Sequence, residues 1–464
     1  KAGGYRIEFQ HAGHRRVPTI FRHLSDRGHR VASIAMPTTW PPEAIDGVMV
    51  SGFDSPVAAA AEAAHCRPRA LWDEIERRFG GMAFADFQEG DTSGDWHARA
   101  LQKLLREIAR KEAICRWLLD REDWTLFSVV FGESDTVSHH FWAYGDPASP
   151  RYMPGIADAI ARVYERLDWA VGELAARADF ACVASDHGFG GAGDLAIYIN
   201  RYLEGQGLLV YRAGAIGAGA GLSGAGDRLR ALAMRLPVEK VVRRLPGALL
   251  GQAESLARYG NIDFGATQAW SDEMNYAATV HLNRTGRDPR GLPVDEGAVV
   301  AALVAWEVEG QRVVDRVHRA DELWGTDRAP GAPDLVLDLA LRGGYSVTVL
   351  PSSRVPRGTT WRRLEPAEYA GGKGSGMNGS HRQHGVFLLG GVPAQQAEEA
   401  GVADVTPTLL ACLGQPVPAH VTGRSWVDES VPRVTVSTGA TEAPPLDTAQ
   451  SEALSRRLTA LGYF

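Results

Sequence analysis

The chain has 464 residues, enough for one large domain with an insertion or for two to three smaller ones. Hydrophobic residues at 45% and charged residues at 23% are the balance of a folded protein with a sizeable core, and a net charge of −7 without a long basic run argues against nucleic acid as a partner. No apolar stretch approaches the roughly 18 residues that span a bilayer, and four scattered cysteines (Cys66, Cys115, Cys182, Cys412) form no CxxC pair, so neither a disulfide framework nor a thiolate zinc site is suggested.

Short apolar or β-branched runs punctuate the chain at Val31–Met36, 126–131, Ala181–Ala184, Leu335–Leu339 and 386–389. Runs of that length without alternation read as strands buried on both faces. Amphipathic helices lie between them. Ile156, Ile160, Val163, Leu167, Val171 and Leu174 fall at three- and four-residue steps and form one apolar stripe. Strands alternating with helices predict an α/β fold, a mostly parallel central sheet flanked by helices.

The Gly/Ala-rich stretch 213–226 reads as a linker. It opens an inserted cap in which 227–258 is helical and locally basic, a solvated face rather than a binding patch, and 278–286 (ATVHLNRTG) is a strand and turn. The expected organisation is a first core part over 1–212, the linker and cap over 213–330, a return to the core over 331–432, and over 433–464 a connector with a C-terminal helix. Nothing at the start reads as a signal peptide, so a soluble, cytoplasmic protein is expected. The chain opens on Lys1 rather than Met, however, which leaves open an upstream segment, a signal included.

Three segments carry chemistry. In LFSVVFGESDTVSHHFW, Asp135 follows a strand and His139 stands four residues later. Ligands of open α/β sheets gather beyond the carboxyl ends of strands, and a four-residue step is about one helical turn, which lets both side chains face one point. A carboxylate and an imidazole so placed suit zinc or manganese. In FACVASDHGFGG, a strand ends in Asp186-His187, followed by glycines that allow a tight turn. The plainer alternative there is a helix N-cap Asp beside an incidental His. In GSHRQHGVFLLGG, His381 immediately precedes a strand; a surface-loop histidine is the plainer reading, and His384 competes for any ligand role. Two strands that both end in Asp/His pairs weigh against chance.

With these segments in view the chain resembles the alkaline phosphatase superfamily, closest to the type I phosphodiesterase/nucleotide pyrophosphatase group and its predicted phosphohydrolase/phosphomutase relatives. PTTWPPEAIDGVMVSGFDSP, SDTVSHHFW, VASDHGF, LNRTGRDPRG, GSHRQHG, ADVTPTLLACLG and RRLTALGY stand in that branch's order. The resemblance implies that Asp135, His139 and His381 hold one divalent metal ion and Asp186 with His187 a second, with zinc expected in both sites and manganese as the other option. It implies a small phosphate-ester substrate, mono- or diester, and in-line displacement between two ions about 4 Å apart through a covalent phospho-enzyme. The superfamily's nucleophilic Thr or Ser and a further Asp belong upstream of anything matched here. Neither is found, and Thr38 and Thr39 match a later family position. His384 and Thr422 are smaller departures, at positions where relatives usually have a polar or acidic residue and an Asp. A metal-binding protein without activity and a phosphomutase are the alternatives. CRPRA at Cys66 resembles a sulfatase nucleophile motif, but Arg69 and Ala70 stand where that motif needs a small hydroxyl residue and Arg, and Cys66 follows a helical Ala-rich run away from any strand end.

Overall fold

The computed structural model describes residues 5, 11–52, 63–83, 95–149, 151–212, 259, 261–274, 277–325, 329, 331–365, 368–369, 376–395 and 399–436. The linker at 213–226, the basic helix expected over 227–258, the C-terminal helix and nearly all of the connector before it lie outside them.

The first sheet has β1 (Val31–Met36) at its heart, flanked in parallel by β2 (Gly47–Ser51) and β4 (Leu126–Val129), with β3 (Cys66–Arg67) antiparallel beyond β2. Helices α1 (Ile20–Ser25), α2 (Ala70–Phe79) and α3 (Trp96–Leu119) belong to this part of the chain. Alternation along the strands sorts their side chains to two faces. Ile34, Val48 and Val50 meet α2 and α3 through Leu71, Trp72, Ile75, Ile114 and Leu118. Val31 and Met49 meet Phe21 and Leu24 of α1 on the other face. Leu410 of a later helix, Val405–Cys412, joins them there. Helices on both faces are why β1 is buried from Val31 to Ala35, as an unbroken apolar run requires.

Helices α4 (Glu133–Gly145) and α5 (Ala159–Ala175) pack with α3. The stripe read from sequence is the one used: Val163 and Leu167 are buried, with Ile156 and Ile160 packed against the same cluster. Next come β5 (Ala181–Ala184), the long β6 (Gly188–Ile197) and α6 (Ile199–Gly205). The strands after them are β7 (Ala269–Trp270), β8 (Thr279–Leu282), β9 (Glu307–Val308), β10 (Gln311–Arg312), β11 (Val314–Arg319) and β12 (Leu335–Leu339). They are followed by β13 (Ser346–Val349), β14 (Trp361–Arg363), β15 (Gly379–Arg382) and β16 (Phe387–Gly390).

The fold is mixed α/β, consistent with the alkaline phosphatase type, but its strands form several sheets. β6 pairs in parallel with β13 and antiparallel with β14 and β15. β5 pairs antiparallel with β16. β12, expected from sequence to rejoin a parallel sheet, lies antiparallel between β11 and β8. One mostly parallel central sheet is therefore not seen among the described strands. A short apolar run points to a strand, not to the direction of its neighbours. Nor are all these runs buried on both faces. Among the described residues β4 and β5 each pair on one side only, and both are half-exposed along most of their length. No described helix is long and apolar enough to cross a membrane.

Candidate metal centre

Two strand ends, one helix and one short strand bring the chemistry together. After β4 the chain turns at Gly132 into α4, whose first two turns carry Asp135 and His139. The four-residue spacing puts both on one face, with His139 Nε2 3.4 Å from Asp135 Oδ1. His381 arrives from β15, directly opposite Phe189 of β6. It lies within this strand rather than ahead of one, and its Nε2 is also 3.4 Å from Asp135 Oδ1 and 3.0 Å from His139 Nε2. His187, between β5 and β6, adds a third imidazole: Nε2 is 3.6 Å from Asp135 Oδ1, and its ring stacks on His381 with centroids 3.6 Å apart.

Glycines allow this approach by lacking a side chain. A Cβ at Gly188 would sit 1.8 Å from the His384 carbonyl oxygen, and one at Gly379 would sit 2.2 Å from that of Ser138. The glycines after Asp186-His187 thus serve close strand packing in β6, not the tight turn expected from sequence.

The electrostatics of the cluster call for a cation. Each of two imidazoles has its Nδ1 3.0 Å from a carbonyl oxygen, His139 facing Gly379 and His187 facing Gly188. A carbonyl only accepts, so Nδ1 donates and Nε2 is left with its lone pair. Asp135 Oδ1 is shielded from solvent and receives no hydrogen bond. Burial alone raises the Asp135 pKa, and it is protons on the His139 and His381 imidazoles that reverse this and keep the carboxyl ionised, a place that a metal cation would take instead. Burial also lowers the His381 pKa, which favours the neutral, ligating imidazole. A carboxylate and imidazole nitrogens converging on one point fit a divalent metal, and the Nδ1–carbonyl bonds of His139 and His187 are the usual outer support of metal-ligating histidines. Among the described residues, Asp135, His139 and His381 form a group able to chelate one ion.

The other expected ligands separate. Asp186 turns outward, its side chain 85% exposed and its Oδ1 3.8 Å from His187 Nε2. His384 is exposed and lies outside the chelating group. Cys66 stands on β3 behind a 3-10 turn, Ala63–His65, rather than away from a strand, and is buried among apolar side chains. Burial pushes its thiol up to about 12, the reverse of what a nucleophilic cysteine needs.

Sequence reading missed two neighbours of the cluster. Phe189 presents its ring edge-on to His139, 4.6 Å between centroids, and walls one side; the FG after Asp186-His187 was its only signal. Lys111 reaches Glu133 two residues before Asp135, and a lone lysine amid the apolar positions of α3 was the clue.

His140, next to the cluster, faces inward against Trp96, with centroids 5.8 Å apart. Burial lowers its pKa from 6.5 to about 3. With the folded value below the unfolded one, the unfolded chain takes up the proton first as pH falls. The stability tied to neutral His140 is therefore whole above pH 6.5 and is lost as pH drops from there toward 3. A His140→Phe variant should lose stability less steeply over that window, by up to about 1.4 kcal/mol per pH unit. Denaturant unfolding at stepped pH is the check, and parallel curves for the two proteins would refute it.

Neither the curated proteins nor the solved structures hold a match to the chain. The family model described as type I phosphodiesterase / nucleotide pyrophosphatase matches residues 7–332, which takes in α4 with Asp135 and His139 as well as Asp186 and His187. The chain belongs to the type I phosphodiesterase/nucleotide pyrophosphatase family, within the alkaline phosphatase superfamily.

Proposed function

We propose that the protein is a metal-dependent hydrolase of phosphate esters, with Asp135, His139 and His381 holding one divalent cation and His187, with Asp186, serving a second. The observation that carries this reading is Asp135 Oδ1, buried without a hydrogen-bond donor beside three imidazole Nε2 atoms. A donor set this rich in imidazole favours zinc, with manganese second. When bound, such a cation supplies Lewis acidity toward a phosphoryl oxygen.

The chain's own residues do the rest. Gly379 and Gly188 carbonyls hold the protons of His139 and His187 on Nδ1, so both rings keep the orientation that directs Nε2 inward. Phe189 excludes water from one flank. Asp186, exposed at the rim beside His187, has the freedom to swing toward an arriving ligand. A hydroxyl nucleophile and a covalent phospho-enzyme remain part of the proposal, but the hydroxyls beside Asp135 do not supply it. Ser134, Thr136 and Ser138 donate to the backbone oxygens of Phe131, Gly132 and Ser134.

Metal analysis together with hydrolysis of bis-nitrophenyl phosphate tests the reading. Turnover should vanish with chelator and return with zinc or manganese. His381→Ala should lower metal affinity by about a hundredfold or more, given that losing even a supporting group costs about ten- to a hundredfold. His384→Ala should leave it unchanged. A loss that follows His384 instead would remove His381 from the site, and turnover indifferent to chelator would end the metal-dependent reading.

A further inference from the structure

Beside the cluster, where β6 runs on past Phe189, a pocket of about 370 Å³ opens between β6, β13 and the β9–β10 hairpin. We propose that this pocket binds a phosphate group. Arg151, Arg342 and Arg363 line it. Only Arg363 is matched by acids, Asp194 at 2.6 Å and Glu309 at 2.7 Å.

The other two guanidinium groups are held by neutral oxygens. Arg151 donates to Asn378 Oδ1 at 2.6 Å and to the Ala192 carbonyl at 2.8 Å, and its guanidinium lies 3.5 Å over the Tyr369 ring. Arg342 donates to the Val308 carbonyl at 3.0 Å and to Gln311 Oε1 at 2.9 Å, while its Nε is buried without a partner. Arg382 repeats the pattern between pocket and cluster. It bonds the pocket residue Ser346 and the carbonyls of Gly191 and Gly344. Among the described residues none of these three arginines forms an ion pair, although burial opposes the charge on Arg151. Cations partly withdrawn from water and left unmatched need an anion. Arginine forks on the wall of an open pocket suit the several oxygens of a phosphate.

The pocket is tied to the metal centre. Asn378, which accepts from Arg151, donates its N–H to the His139 carbonyl and its amide to that of His140. Along β6, Phe189 lies beside the cluster and Ala192 at the pocket, a step of roughly 10 Å at the usual strand rise. Two phosphate sources fit that placement: a second phosphate on the substrate, or free phosphate.

Phosphate titration calorimetry on the full chain decides the matter, with Asp135→Asn as the background so that the metal centre does not contribute. That protein should still bind inorganic phosphate. Adding Ser149→Asp should weaken binding by at least about tenfold, because it places the missing carboxylate inside the pocket. Ser149 accepts the Arg151 backbone N–H, a bond that Asp also accepts, so the fold should be kept and the melting point should not fall. Arg342→Gln should weaken binding similarly and carries the test if Ser149→Asp unfolds. Absence of phosphate binding in the Asp135→Asn background, or equal binding with and without the pocket changes, would overturn the proposal. The source is read from kinetics in the chain with Asp135 intact, an arm that rests on the phosphoesterase reading. A KM raised by Ser149→Asp only for substrates with two phosphates assigns the substrate, whereas phosphate inhibition relieved by Ser149→Asp at unchanged KM assigns free phosphate.

Discussion

Asp135→Asn should abolish tight metal binding without destabilising the metal-free protein. The carboxylate is the one negative charge in the chelating group, and its Oδ1, buried without a hydrogen bond, lies 3.4 Å from both the His139 and the His381 Nε2 atoms. Asn keeps the shape and removes the charge. Its amide can also donate to His139 or His381 Nε2, an interaction the carboxylate cannot make. Metal affinity should fall by about a hundredfold or more and turnover of phosphate esters with it, the loss expected for a ligand rather than a supporting group. In chelator the variant should melt at or above the parent. A carboxylate serving only as an ion-pair partner of protonated histidines would give the opposite result, intact metal content and a lowered melting point. Titration with zinc followed by melting in chelator separates the two outcomes.

How the site could be read in advance depended on which signals are local. Asp135 and His139 sit one helical turn apart on α4, and a four-residue spacing behind a strand states that geometry directly. Ala181–Ala184 and Val31–Met36 are strands with the very bounds their apolar runs suggest. Pairing partners are non-local, and there the sequence was silent. Nothing in Leu335–Leu339 tells that it lies antiparallel to β8 and β11, because an apolar strand suits either direction. The same limit hid the meeting of His187 with His381, which arises from β6 and β15 running side by side. It also hid the outward turn of Asp186, a side-chain orientation that no spacing encodes. The pocket arginines come from separate segments, and only the fold reveals that Arg151 and Arg342 form no ion pair among the described residues and are held by neutral oxygens.

The geometry of the Asp135 cluster depends on where α4 begins, and we expect a buried ion pair to anchor that point. Lys111 of α3 places Nζ 3.0 Å and 3.1 Å from the two carboxylate oxygens of Glu133, the first residue of α4, and 3.0 Å from the Val130 carbonyl just past β4. Both side chains are almost wholly buried, 4% and 0% exposed. Glu133→Ala leaves an ammonium in the interior with a single carbonyl and the Phe131 ring for company. Breaking such a pair from one side costs about 3–5 kcal/mol, because the remaining charge is stranded. The denaturant midpoint should fall accordingly, and metal affinity should weaken as well, since Asp135 is two residues further along the same turn. Lys111→Met combined with Glu133→Leu removes both charges and should recover most of the stability. Metal affinity in the double variant distinguishes anchoring from mere stability. If α4 is positioned by the ion pair itself, affinity stays low while the midpoint recovers; if apolar packing suffices, both recover together. A Glu133→Ala protein within 1 kcal/mol or so of the parent would show that water reaches Lys111, and the anchoring role would fall with it.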